Sequence, residues 1–199
     1  MRDAVSFRLD AFPRHAIVPD GHRPAAVAVA LCIDGDSGAS FLLTRRASRL
    51  RAHAGQWALP GGRIDRGESA ADAARRELQE GLGLETGPAS VLGQLDDYET
   101  RSGYVITPVV LWLGETPVLQ PSADEVAEAY CVPLAELDRP DAPRFISIPE
   151  SERPVVQMPL MGTLIHAPTA AVLYQLREVV LHGRTTRVDH LEQPVWAWK

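Results

Sequence analysis

The stretch GESAADAARRELQEGLGLE brings Arg76, Glu77 and Glu80 close together just before a glycine-bearing turn. On a helix, residues three apart project from one face, so Glu77 and Glu80 would present two carboxylates about one turn apart. Hard oxygen donors in that arrangement suit Mg2+ or Mn2+. Arg76 lies four residues before Glu80 and can hold a carboxylate in place. The same charges also read as a solvated helix face with two i,i+4 pairs, Asp72–Arg76 and Arg76–Glu80. Upstream, Gly61-Gly62 lets the backbone turn sharply or approach a ligand closely. Arg45, Arg46, Arg49 and Arg51 place four guanidinium groups within seven residues of an otherwise acidic chain. Guanidinium is the natural bidentate partner of phosphate. At least two of these arginines are expected to face solvent or pair with acids. His53 is a candidate phosphate or backbone contact, although a lone loop histidine is more often structural. His166 is a weaker candidate.

These groups need elements to position them. Ala70, Ala74, Leu78 and Leu82 recur every four residues and predict a helix, with Glu68 or Ser69 at its start and Gly81 and Gly83 ending it. Ala25–Ile33 and Ser40–Thr44 read as a hairpin of strands across the turn DGDSG. Trp57 to Gly62 approaches as a strand and breaks at Pro60-Gly61-Gly62. Ser90–Tyr98 and Tyr104–Leu113 read as two longer strands, followed by Val126–Pro133 and a helical turn at Ala135–Asp138. A second helix is predicted around Val172, Leu173, Leu176, Val179 and Val180, with Pro168 at its first position and Gly183 at its end. His190 to Lys199, with Trp196 and Trp198, is expected to pack back as a strand. Strands and helices do not alternate, so an α+β sandwich fits better than a doubly wound parallel sheet.

The chain has 199 residues, enough for one domain with its own core. Its net charge of −6 argues against a nucleic-acid or anionic-membrane partner. The apolar run Ala25–Ile33 is too short to span a bilayer, and the N-terminus lacks a leader-like apolar stretch, so the expected location is cytoplasmic. Cys32 and Cys131 read as a reduced, buried pair. No internal repeat is present at a period of 20 to 50 residues.

Gly62 to Leu84 resembles the Nudix box, in which Gly, five residues, Glu, seven residues and then Arg-Glu-apolar-x-Glu-Glu-x-Gly-apolar recur. Gly62, Glu68, Arg76, Glu77, Leu78, Glu80, Gly83 and Leu84 match eight of its nine positions. The departure is Gly81, where the box has a second glutamate. The resemblance implies an α/β/α sandwich with a mixed β-sheet and hydrolysis of a nucleoside diphosphate linked to another group. It also implies Mg2+ or Mn2+ held by Glu77 and Glu80, with a homodimer common among members. Leu42, Leu43, Thr44, Arg46, Arg51, His53, Gly55, Gln56, Pro60, Gly61 and Gly62 resemble the extra signature of the coenzyme A pyrophosphatase branch, with Ala47 and Leu59 as departures. The substrate so implied is coenzyme A or a derivative, contacted by Arg46, Arg51, His53, Gly61 and Gly62. Leu92–Val110 resembles the strands that follow the box. In SADEVAEAYCVPLAEL, Glu125 is a candidate base or metal ligand, or else a surface loop acid. Glu77 or Glu125 would take the proton from water. The resemblance divides the chain into an N-terminal extension (1–24), a Nudix domain (25–182) and a C-terminal extension packing on it (183–199). Gly81 leaves two further expectations open: a weakened nucleotide-binding module, or a hydrolase for ADP-ribose or a dinucleotide.

Overall fold

The computed structural model describes residues 1–48 and 55–198. In chain order its elements are α1 (Arg2–Asp10), β1 (Arg23–Asp34), β2 (Gly38–Arg46), β3 (Trp57–Ala58), β4 (Gly61–Arg63), α2 (Ala70–Leu82), β5 (Val91–Gln94), β6 (Tyr98–Glu99), β7 (Tyr104–Glu115), β8 (Val126–Pro133), β9 (Arg144–Ile148), β10 (Ser151–Leu160), β11 (Thr163–His166) and α3 (Thr169–Leu176). The main sheet runs β3-β2-β1-β7-β5, with β4 paired to β1, β6 to β7 and β8 to β2. β1 and β7 are parallel, and the other pairs are antiparallel. A smaller antiparallel sheet runs β11-β10-β9.

The side-chain alternation of β1 explains the layers. Ala26, Ala28 and Ala30 face α2, where they join Ala73, Ala74, Leu78 and Leu82 in one core. Small residues on both surfaces let the helix lie close to the sheet. Val29 and Leu31 face the opposite way, into a larger core with Val5 and Leu9 of α1 and Leu173 and Leu176 of α3. Helices therefore cover both faces of a mixed sheet, the α/β/α sandwich that the resemblance implies. Among the described residues no helix is long and apolar enough to cross a membrane.

Several expectations need correction. Gly81 lies inside α2, and the helix ends at Gly83, whose φ of 70° forms a left-handed cap. The expected strand Ser90–Tyr98 is two pieces. Between them the buried Asp96 and Asp97 turn aside to bind other parts of the chain. Asp97 takes Arg14, the Ile17 amide and the Thr107 hydroxyl, and Asp96 takes Arg187, Gln175 and the His15 amide. Strand pairing there would leave these carboxylates facing apolar core. The segment 190–198 forms no strand. It makes one bridge, Glu192 to Val155, and then a short 3-10 turn at Val195–Ala197 after Pro194. Cys32 and Cys131 are free, with their sulfurs 3.6 Å apart, and burial pushes the Cys32 thiol up to about 12.

Candidate active site

The site grows from the junction of β4 and α2. β4 pairs with β1 in the register Ala26↔Gly62 and Val27↔Gly61. A Cβ on Gly61 would strike the Ala26 carbonyl, and one on Gly62 would strike the Glu77 carboxylate. The two glycines thus let the strand lie on β1 while the carboxylate of α2 lies directly on the strand. Helix α2 starts on Ser69, whose hydroxyl accepts from the Asp72 amide at 3.1 Å. Such a cap contributes about 1 kcal/mol. The helix end is fixed by Gly83 N–H donating to Gln79 and Leu84 N–H donating to Leu78.

Arg76 organises the carboxylates. Its Nε donates to Glu68 Oε1 at 3.0 Å and one Nη to Glu68 Oε2 at 3.1 Å. The same Nη donates to the Arg63 carbonyl at 2.9 Å, and the other reaches Glu77 Oε1 at 2.8 Å and Glu80 Oε2 at 3.1 Å. Of the two pairs expected on a solvated face, Arg76–Glu80 is present. Asp72 instead pairs with Arg75 at 3.0 Å, because Glu68 already occupies Arg76. Arg76 is 29% exposed and Glu77 15%, whereas Glu80 is 52% exposed. The Arg76 hydrogen bonds hold Glu68 below the usual carboxylate range. Burial raises Glu77; Arg76 opposes this, and the charges of Glu80 and Glu125 add to the rise. Three carboxylates, those of Glu68, Glu77 and Glu80, thus share the one guanidinium of Arg76.

Glu125 joins this group through backbone links. The Gly81 carbonyl accepts from Ser122 N–H at 2.9 Å, and the Ser122 carbonyl accepts from the Glu125 amide at 3.0 Å. The Glu125 carbonyl takes Ala47 N–H at 2.9 Å, which fixes the turn to the end of β2. Glu125 is exposed, and no cation pairs with its carboxylate among the described residues. Gly81 points at Val126, whose Cγ2 would be 3.9 Å from an added Cβ. Among the described residues no three His, Cys, Asp or Glu side chains form a closed metal cage.

Arg46 sits at the end of β2, where its backbone bonds Gln56 and Gly55. Its Nε is buried without a hydrogen-bond partner among the described residues. Arg45 pairs with Glu128 at 3.3 Å, as expected for part of the cluster. Arg49, Arg51 and His53 lie outside the described residues. In the sequence Glu68 reads as a helix-opening acid. The structure makes it the main anchor of Arg76, and only its place in the box hinted at that role.

The NUDIX domain family matches residues 22–148. A protein named as an uncharacterized Nudix hydrolase, NudL, from Photorhabdus laumondii is 32% identical over 177 residues, covering 87% of this chain and 94% of the relative. Its namesake from Pectobacterium atrosepticum is 39% identical over 116 residues, covering 58% of this chain and 60% of the relative. The chain therefore spans less than two thirds of that second relative's length. Among solved structures, a Nudix hydrolase from M. smegmatis, RenU, superposes with a TM-score of 0.54 at 22% identity, over 84% of this chain and 91% of that one. The family match over most of the chain, the shared sandwich and the carboxylates gathered on α2 lead to one conclusion: the chain belongs to the NUDIX domain family.

Proposed function

We propose that this protein is a metal-dependent Nudix pyrophosphohydrolase that cuts the diphosphate of a nucleoside diphosphate-linked compound, with coenzyme A or a derivative as its substrate. The observation that carries the reading is the Arg76 assembly. One guanidinium orients Glu68, Glu77 and Glu80 while Gly62 makes room for the Glu77 carboxylate. A purely solvated face has no need of a partly buried glutamate or of a glycine shaped to admit it.

The uncompensated negative charge around Glu77 fits a divalent cation, and Glu77 and Glu80 would hold Mg2+ or Mn2+. With two carboxylates and no closed cage among the described residues, a largely hydrated ion suits the site. When bound, the ion supplies charge neutralisation on the phosphate oxygens and acidifies a water. Glu125, exposed and unpaired with any described cation, accepts the water proton. Glu77 stays tied to Arg76 and keeps the helix carboxylates in register. Arg46 is the phosphate contact in this reading, since its guanidinium lies at the end of β2 with its Nε unpartnered among the described residues. The coenzyme A assignment rests on the signature around Arg46, Arg51, His53, Gly61 and Gly62.

Gly81 supports a second reading, a nucleotide-binding module with weakened chemistry, because it removes a box carboxylate. One experiment separates the two. Coenzyme A, ADP-ribose, NADH and a nucleoside triphosphate are offered with Mg2+ and with Mn2+ to the wild type and to Glu80→Gln. Coenzyme A turnover that disappears in Glu80→Gln is the expected result. Binding without turnover in the wild type selects the module, and preferred turnover of another compound overturns the substrate.

A further inference from the structure

A cavity of about 510 Å3 lies where the main sheet meets the C-terminal part of the chain. Arg45 and Trp57 line one side. Met161, Thr163 and His166 of the β10–β11 hairpin, together with Trp196, line the other. Its size is that of a small-molecule site. The second wall lies wholly outside residues 22–148, the segment that the family shares.

Two features of that wall lack a structural reason. Trp196 is 53% exposed, and its ring meets that of His166 in a T-shaped contact at 5.3 Å and 82°. His166 is itself held by Gln157 at 3.0 Å, and burial keeps its ring below the usual imidazolium range. A half-exposed indole that lines a cavity and has a ring partner beside it offers a surface for stacking. The second feature is Met161. It is the one non-glycine at positive φ among the described residues, at 53°, and it is 44% exposed. With Gly162 at 70° it forms the two-residue turn between Leu160 and Thr163. Both turn residues at positive φ is the pattern that Asn-Gly normally supplies. A methionine there accepts steric strain and gains no core packing in return. Strained residues of this kind gather at ligand sites.

The cavity and the carboxylates lie on opposite faces of the sheet at the same end of β2. Arg45 pairs with Trp57 of the larger core and lines the cavity, whereas Arg46 pairs with Val126 of the α2 core and the Ala47 amide bonds the Glu125 carbonyl, so a substrate reaching both must pass over that strand end. Trp57 precedes Gly62 by five residues.

We propose that this cavity is the base subsite of the diphosphate substrate: a planar nucleobase stacks on Trp196 under Met161, and its 5′-phosphate turns toward Arg45. The inference rests on the hydrolase reading above. Two indoles and a thioether favour a flat ring. Thr163 and Thr169 are also on the lining, and residues that bear hydroxyls suit a ring with polar edges better than an aliphatic arm.

The test uses adenosine 5′-monophosphate and pantetheine as separate probes of the full chain, measured calorimetrically without metal, alongside steady-state kinetics on the diphosphate panel. Trp196→Ala should weaken the monophosphate by about tenfold, the scale of one lost base–aromatic stack. It should raise KM by a similar factor with kcat within about twofold. Trp196→Phe, which keeps a ring face, should recover most of the affinity and guards against a folding defect. Met161→Asn should raise Tm by relieving the turn, yet bind the monophosphate more weakly. A turn with only a structural role would gain stability and leave binding unchanged, and that outcome overturns the proposal. Pantetheine binding that is lost in Trp196→Ala, with the monophosphate unaffected, overturns the assignment to the base. If the wild type cleaves no diphosphate but its monophosphate affinity still depends on Trp196, the hydrolase reading fails and the subsite stands.

Discussion

Gly81 separates the two functional readings, and the structure says what replacing it will do. The residue is helical, it is absent from the positive-φ glycines, and an added Cβ meets only Val126 Cγ2, at 3.9 Å. Gly81→Ala should therefore gain the intrinsic helix preference, about 1 kcal/mol. In a domain of this size that raises Tm by about 2–4 °C. Gly81→Glu gains nearly the same preference. It also places a carboxylate one turn from Glu77, a like-charge pair that costs about 0.2–0.5 kcal/mol. Because the position is buried, the new carboxylate must rise past Val126 toward the turn that bears Glu125, at a further desolvation cost. In metal-free buffer Gly81→Glu should thus melt below Gly81→Ala. Metal reverses the order. If the third carboxylate tightens Mg2+ tenfold, saturating metal adds about 1.4 kcal/mol to the Glu variant relative to the other two. That is about 3–6 °C, readable in paired thermal melts with and without Mg2+. Turnover on the same panel should rise with it. An equal metal response in wild type, Ala and Glu proteins would refute the reasoning, because the carboxylate missing from the box would then not be missing from the site. A Gly81→Ala protein less stable than wild type would refute the helical account of the glycine.

Three further outcomes follow from named contacts. Gly62→Ala and Gly61→Ala should part company: the first displaces only the tip of Glu77, so kcat should fall at least tenfold with Tm little changed, whereas the second strikes the Ala26 carbonyl and should cost about 1–3 kcal/mol of stability by denaturant melt. Arg76→Lys keeps the charge and loses the fork that spans Glu68 and the Arg63 carbonyl, so stability should drop by about 2 kcal/mol and activity with it; an unchanged melt would deny Arg76 its organising role. In acid, stability should decline in two stages. The folded pKa of His166 lies below its ordinary 6.5, so the unfolded chain takes up a proton first, and stability falls as the pH drops below 6.5. Burial pushes Glu192 up, but Arg101, the Gln193 amide and Ser151 outweigh it and hold the carboxyl below 4.5, so its contribution is complete above 4.5 and is lost below. His166→Gln should flatten the upper stage alone, and an identical profile in both proteins would remove His166 from the account.

The parts of this site that are local in sequence were legible, and the parts that depend on closure were not. The stripe Ala70, Ala74, Leu78 and Leu82 and the cap Ser69 place α2 correctly, because helix periodicity and capping act within one element. The hairpin of β1 and β2 was legible for the same reason. The pairing of Arg76 was legible in part. The i,i+4 rule gives Glu80, which is present, and Asp72, which is not, because the loop through Gly67 folds Glu68 back beside Arg76 and the bidentate partner wins. Gly61 and Gly62 read in the sequence as a sharp turn or a close approach to a ligand; that they also admit a neighbouring strand and a carboxylate is revealed only by the register of β4 on β1. α1 escaped notice because it contributes just Val5 and Leu9 to the core while Phe7 is 74% exposed. Leu9 can reach β5 only because Gly93 leaves room for it. The small sheet escaped for the opposite reason. Phe145, Ile146, Met161 and Leu164 look like core residues in the sequence and are exposed in the fold. Apolar side chains that the fold does not bury carry information that periodicity lacks, since they mark surface kept for something else to cover. In this chain two of them, Met161 and Leu164, line the same cavity as Trp196, beyond the segment that the family shares. In the proposed hydrolase the box helix would carry the chemistry, and the hairpin and tail outside residues 22–148 are where the choice of substrate should be sought.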